Sequence, residues 1–317
     1  MKSAVLRIGT RASALALWQA EHVAALLHAQ GAPPVQLVHI KTSGDVQSEV
    51  PLWQAGGQAF FTKEIDRALL EGSIDLAVHS LKDLSTQLQP GLTLGATLAR
   101  ADPRDVLLSR GGVTLAQLPP NARIGTSSLR RRAFLRRARP DLRHVELRGN
   151  VPTRVQRLQG GEDYEAIILA AAGLARLDLL QHVTEYLAAE LFPPAVSQGV
   201  IGICARTADA ATLRWLLPLD DREARLASSA ERALLRRIQG GCQVPLGALA
   251  TVNDRLLKLQ ASVCALDGTR ELSAQGAGPA SIADAVALGE RVADELLARG
   301  AAELIAHERA RLTVAAP

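Results

Sequence analysis

Lysine is scarce in this chain of 317 residues: it occurs five times, so 31 of the 36 basic residues are arginine. Aromatics are scarce too, nine in all, and Phe134 alone falls within the arginine-rich part of the chain. That argues against an aromatic stacking platform for single-stranded nucleic acid. Three cysteines, Cys204, Cys242 and Cys264, make no CxxC pair, which excludes a disulfide framework. Seven histidines form no HExxH pattern, so no metal is expected. No apolar run approaches the roughly 18 residues that a membrane span needs. The start, Met1 to Arg7, lacks the apolar stretch of a signal peptide and runs straight into a strand pattern. These absences predict a cytoplasmic protein with no membrane partner.

What is present is arginine in one place. Eleven arginines and no lysine lie between Arg123 and Arg157, against two acids, Asp141 and Glu146. A guanidinium is a planar fork of donors that grips carboxylate or phosphate at two points and stays charged at any working pH. The net charge is only +4, so the signal is local. GC-rich coding explains a preference for arginine over lysine but not its crowding into one window.

Hydrophobic patterning alternates short β-rich runs with amphipathic stretches. Strands are expected at 5–8, 35–40 and 74–78, with helices at 13–28 and 62–70. A second such unit has strands ending at Gly125 and spanning 144–147 and 166–170. Its helices are expected at 127–139, 151–158 and 171–180. This βαβ rhythm predicts mainly parallel sheets covered by helices. Arg7-Ile8-Gly9-Thr10 is echoed by Arg123-Ile124-Gly125-Thr126, each before a serine and a helix. Two similar α/β lobes would then face each other across a cleft, with an anion-binding corner on each wall. After about Asp220 the pattern becomes helix 222–238, strands 246–252 and 256–265, and helix 282–299. That is a smaller α+β unit.

Four constellations stand out. Gly240-Gly241-Cys242-Gln243 puts a cysteine on a glycine-loosened turn, either as an apolar filler or as a reactive thiol. His79-Ser80-Leu81-Lys82-Asp83 follows a buried strand; the pair is either a solvated ion pair or an acid facing a cationic cleft. Thr126-Ser127-Ser128 opens a helix as caps would. Yet Arg130 and Arg131 follow in the first turn, where the helix dipole disfavours cations and an anionic ligand would offset the repulsion. Arg148-Gly149-Asn150 with Arg154, and then Arg176, send basic groups from successive corners to one rim. A nucleic-acid binder, an anion-sensing pair of lobes and an enzyme acting on a small polyanion all remain open at this level.

Taken together, six segments resemble the porphobilinogen deaminase (hydroxymethylbilane synthase) family. They are Arg11-Ala12-Ser13, His79 to Asp83, Gly125 to Arg131, Arg148-Gly149-Asn150 with Thr153-Arg154, Pro194-Ala195-Val196 with Gln198-Gly199, and Gly240 to Pro245. The resemblance covers nearly the whole chain. It implies two lobes like those of periplasmic binding proteins, spanning 1–99 plus 198–217 and 100–197. A C-terminal cofactor-anchoring domain would span 218–317. It implies a transferase that joins four porphobilinogen molecules head to tail with loss of ammonia and releases hydroxymethylbilane by hydrolysis. The primer would be a dipyrromethane cofactor in thioether linkage to Cys242. Lys82, Asp83, Thr126, Ser128, Arg130, Arg131 and Gln198 would bind that cofactor. Arg11, Ser13, Arg148, Arg154 and Arg176 would bind substrate carboxylates, and Asp83 would be catalytic. A monomer without nucleic acid is implied. The chain departs from the family pattern at Gln58 (often basic), Ser85 (usually Pro), Ser197 (commonly Gly) and Cys204 (usually acidic).

Overall fold

The computed structural model describes residues 5–42, 62–161, 163–239 and 244–314. Along the chain come β1 (Leu6–Thr10), α1 (Ala14–Ala29), β2 (Val35–His39), α2 (Lys63–Leu70), β3 (Leu76–Ser80) and β4 (Leu92–Thr97). Then follow β5 (Asp105–Ser109), β6 (Arg123–Gly125), α3 (Leu129–Ala138), β7 (Arg143–Val145), α4 (Val151–Gly160), β8 (Ala166–Ala170), α5 (Ala171–Arg176) and β9 (Glu185–Tyr186). After them come β10 (Ile201–Arg206) and α6 (Ala210–Leu216). The chain closes with α7 (Arg222–Arg237), β11 (Leu246–Asn253), β12 (Leu256–Cys264), β13 (Glu271–Pro279), α8 (Ile282–Ala298) and α9 (Ala301–Val314).

Two five-stranded sheets share one plan, in the orders β2-β1-β3-β10-β4 and β7-β6-β8-β5-β9. In the first, β1 runs parallel to β2 and β3, while β10 is antiparallel to β3 and β4. In the second, β6 runs parallel to β7 and β8, while β5 is antiparallel to β8 and β9. The parallel halves need helical crossovers, and α1 and α3 supply them. The fourth strand of each sheet is delivered by chain arriving from the other sheet. The third sheet, β11-β12-β13, is an antiparallel meander against α7 and α8.

Local chemistry explains the helices. The Ser13 side chain accepts the Ala16 N–H at 3.4 Å to start α1, and left-handed Gly31 follows its end. Asn150 caps α4, Pro152 sits in its first turn, and Gly161 at φ 81° ends it. Helix α7 is capped by Asp221, with Glu223 in the first turn and Arg236 and Arg237 in the last, as the dipole favours. Its buried alanines let α8 approach so closely that a Cβ on Gly289 would lie 2.2 Å from the Ala230 carbonyl oxygen.

The echoed tetrapeptides occupy equivalent places. The Arg7 guanidinium and backbone N–H bond Asp75, just before β3, and Arg123 does the same with Glu165, just before β8. Their role is structural: each ties together two neighbouring parallel strands, β1 with β3 and β6 with β8.

The connecting segments touch where Gly199, at φ 94°, leaves no room for a side chain; its Cβ would sit 2.4 Å from the Ala101 carbonyl oxygen. Nearby Ser197 has φ 61° and a buried hydroxyl without a partner, a site better suited to glycine. Fully buried Glu231 of α7 binds Arg100 at 2.6 Å and accepts the N–H groups of Ser197 (2.6 Å) and Ala250 (2.7 Å). It thereby ties the C-terminal part to both segments. Phe134, Phe192, Cys264 and Leu266 share one buried cluster between the second sheet and the turn after β12. Burying a ring such as Phe134 contributes about 1.5–3 kcal/mol.

The expected helix 171–180 is shorter than its pattern suggested. It stops at Arg176, and Asp178 at φ 54° begins a turn. Among the described residues no helix is long and apolar enough to cross a membrane.

Candidate active site

Two adjoining cavities share Leu15 and Ser80 in their walls; the first is lined by the first lobe, and the second lies where the lobes meet. The first is lined by Arg11 and Ser13 from the corner after β1, by Gln19, Thr62, His79 and Ser80, and by Asp83. The second is lined by Lys82, Arg131, Arg154, Arg176 and Gln198, among apolar and small residues. No carboxylate lines the second among the described residues.

The apolar strand β3 ends at Ser80, and the short turn Leu81–Asp83 throws its polar residues out at that sheet edge. Leu81 is buried and pins the turn, while Asp83 is exposed beside the first cavity. Lys82 Nζ donates to Gln198 Oε1 at 3.3 Å. Burial pushes the Lys82 pKa down to about 8; Arg131 and Arg130 add to the fall, and Asp83 and Asp105 oppose it. Gln198 in turn donates to Asp105 Oδ1 at 2.9 Å and to the Pro103 carbonyl at 2.7 Å.

Asp105 is the hub of this polar chain. Its carboxylate is fully buried and accepts from Arg130 at 2.7 Å and from Arg131 at 2.8 and 3.1 Å. Burial alone would raise its pKa. The two guanidinium charges and their hydrogen bonds more than reverse that and hold the group far below the usual carboxylate range. The two arginines at the start of α3 therefore have an internal anion, and no ligand is required to explain them. Arg130 also donates to the Pro193 carbonyl at 2.6 Å, and Arg131 to that of Ile168 at 2.9 Å. Ser128 accepts the Arg131 N–H as the α3 cap, and Thr126 accepts the Ser128 N–H at 3.2 Å.

Arg154 and Arg176 contrast with that pair. Arg154 donates to the Gly149 carbonyl at 2.8 Å, and Arg176 to the Gly199 carbonyl at 2.6 Å. Neither makes an ion pair with a carboxylate among the described residues. Burial pushes both pKa values down to about 10, with Arg131 and Arg148 adding to the fall at Arg154. Both stay cationic, half-buried and turned to the second cavity.

Of the residues expected from sequence, the structure brings Arg11, Ser13 and Asp83 to the first cavity and Lys82, Arg131, Arg154, Arg176 and Gln198 to the second. Thr126, Ser128, Arg130 and Arg148 line neither. Cys242 and Gln58 lie outside the described residues. Sequence reasoning missed Asp105 and Gln19, and it quoted His79 in its segment without giving it a role. Gln19 exchanges hydrogen bonds with Ser80 at 2.8 and 3.3 Å. His79 is buried with an unpartnered Nε2, and burial, helped by Arg11, pushes its pKa down to about 4, so it is neutral. The readable signal for Asp105 was an acid opening the apolar run Val106-Leu107-Leu108.

Comparison with known proteins bears on the family of the chain. A family model described as "Porphobilinogen deaminase, dipyromethane cofactor binding domain" matches residues 6–214. A second, "Porphobilinogen deaminase, C-terminal domain", matches residues 225–298. The porphobilinogen deaminase of Syntrophotalea carbinolica is 49% identical over 96% of this chain and 96% of its own. That of a Roseiflexus species is 50% identical over 95% of this chain and 98% of its own. Among solved structures, the periplasmic aliphatic sulphonate binding protein of Escherichia coli is 17% identical, with a TM-score of 0.37 over 74% of this chain and 70% of its own.

Proposed function

We propose, from the premise that this chain belongs to the porphobilinogen deaminase family, a division of labour across the two cavities. The chain is a hydroxymethylbilane synthase. It joins four porphobilinogen molecules head to tail with loss of ammonia and releases hydroxymethylbilane by hydrolysis. The observation that carries the assignment of roles is the second cavity: four cationic side chains line it without a carboxylate.

The donor set fits the family's cofactor. A dipyrromethane carries acid side arms, and half-buried guanidiniums without carboxylate partners lack the anion that such arms supply. Lys82, Arg131 and Gln198 would hold it at the cavity wall, and Thr126, Ser128 and Arg130 would support that wall from the start of α3. When bound, the dipyrromethane supplies the nucleophilic terminal pyrrole. We assign its thioether anchor to Cys242.

Arg11, Ser13, Arg148, Arg154 and Arg176 take the carboxylates of incoming porphobilinogen. Forked donors hold a flexible acid arm in one orientation better than an ammonium does. As ammonia leaves the substrate's aminomethyl group, positive charge grows on the pyrrole nitrogen. Asp83, beside the first cavity, stabilises that charge and accepts and returns protons.

Sheet membership supports domain limits of 1–99 plus 198–217, 100–197 and 218–317, since β10 completes the first sheet and β5 the second. The protein acts as a cytoplasmic monomer, without a nucleic-acid partner. Intact mass tests the anchor. The purified chain should carry the added mass of a dipyrrole, and Cys242→Ser should not. A bare wild-type mass, or an adduct that survives the substitution, would overturn the assignment.

A further inference from the structure

We propose that Trp18 is a positioning residue for substrate binding, acting through Arg176. The inference rests on the reading of Arg176 as a contact for a substrate carboxylate. Trp18 belongs to α1 of the first lobe and Arg176 to the end of α5 in the second. The guanidinium carbon lies 6.0 Å from the Trp18 ring centroid, and the Arg176 Nη2 donates to the Gly199 carbonyl at 2.6 Å. Arg176 lines the second cavity, whereas Trp18 does not.

Both holders are neutral. A carboxylate in the place of the ring would neutralise the guanidinium, and an incoming acid arm would have to displace it. An aromatic face attracts the cation through its quadrupole, orients it, and leaves its charge available. Arg130 and Arg131 show the other solution, in which Asp105 occupies the forks. A free arginine side chain samples many rotamers, and ordering it on binding costs affinity. The ring and the carbonyl restrict that sampling before substrate arrives. They reach Arg176 from the first lobe and from the returning segment, so its position is set by how the lobes meet.

The test uses the cofactor-loaded enzyme and four variants: Trp18→Leu, Trp18→Phe, Arg176→Gln and the Trp18→Leu/Arg176→Gln double variant. Trp18→Leu should raise KM for porphobilinogen about 3- to 10-fold and leave kcat within about twofold. Trp18→Phe should recover most of the loss. In the Arg176→Gln background, Trp18→Leu should have almost no further effect on KM. An unchanged KM in the single variant, or the same factor in both backgrounds, refutes the role. A second readout needs no Trp18 variant. With Trp53→Phe and Trp215→Phe in place, Trp18 is the sole indole, and added porphobilinogen should change its emission as the guanidinium turns to the acid arm. Arg176→Gln should remove most of that change; a response that survives it, or none at all, counts against the proposal. Should Trp18→Leu not fold, this readout decides. A wild-type chain that does not consume porphobilinogen sinks the functional reading along with the inference. Consumption with a KM indifferent to Trp18 sinks the inference alone.

Discussion

The corner after β1 and the corner after β6 begin alike and end differently. Each opens with Arg-Ile-Gly-Thr, pairs its arginine with an acid before the third strand of its sheet, and has no room for a side chain at its glycine. A Cβ would lie 2.3 Å from Ile74 at Gly9 and 2.8 Å from Tyr164 at Gly125. The next corners diverge. After β3 the chain offers Leu81-Lys82-Asp83; after β8, at the equivalent place, it offers Ala171-Ala172-Gly173. One lobe therefore brings the acid, the lysine and Arg11, and the other brings the guanidiniums of the second cavity. A shared scaffold fixes where groups are presented, and the residue after each strand end decides what is presented.

Breaking the acid side should have the largest effect. Asp83→Asn is expected to lower turnover about 10²–10⁴-fold while intact mass still shows the dipyrrole adduct. Near-normal rates would remove Asp83 from the chemistry. On the other wall, Asp105→Asn leaves two buried guanidiniums without their counter-ion. A loss of about 3–5 kcal/mol is expected, read as a fall in the urea midpoint. A loss below about 1 kcal/mol would mean that Asp105 is not the hub of that pair.

Lys82 sharpens the comparison through pH. With its pKa at about 8, its charge is lost as pH rises through that value, so kcat/KM should fall above about pH 8. Lys82→Arg should move this limb upward, and an unmoved limb would assign it elsewhere. Stability should run the other way. The unfolded chain keeps the proton up to about 10.5, so between the two values it binds more protons than the folded chain, and folding grows more favourable as pH rises. The smallest effect is expected where the corners agree. Arg7→Ala and Arg123→Ala each break a half-exposed pair, and each should cost within about 1 kcal/mol and leave KM alone. A KM effect from either would show that the echo is not purely structural.

Much of the helical frame was legible, because helices are local. Ser13, Asn150 and Asp221 mark their own helix starts, and apolar spacing marks the buried faces. The strands β4, β5 and β10 were not read from hydrophobic patterning, and only the resemblance returned 198–217 to the first lobe. Asp105-Val106-Leu107-Leu108 carries no mark of a partner, and β10 pairs with β3 and β4 after the whole second lobe has intervened. The density of arginine was equally plain, but which arginines were committed was not. Arg130 and Arg131 were read as ligand contacts, but nothing in the sequence marked the internal carboxylate of Asp105 as lying between their forks.

Sequence alone determined the chemical inventory: guanidiniums in place of ammoniums, an acid beside a lysine at a strand end, glycines where two segments press together. It did so because residue type, local caps and periodicity are properties of neighbours along the chain. The partner of each charge was decided only by the folded arrangement. Asp105 reached Arg131, and Trp18 reached Arg176, because strands and helices distant in sequence were packed side by side, and a charge settles with whatever group the packing brings within a few ångströms.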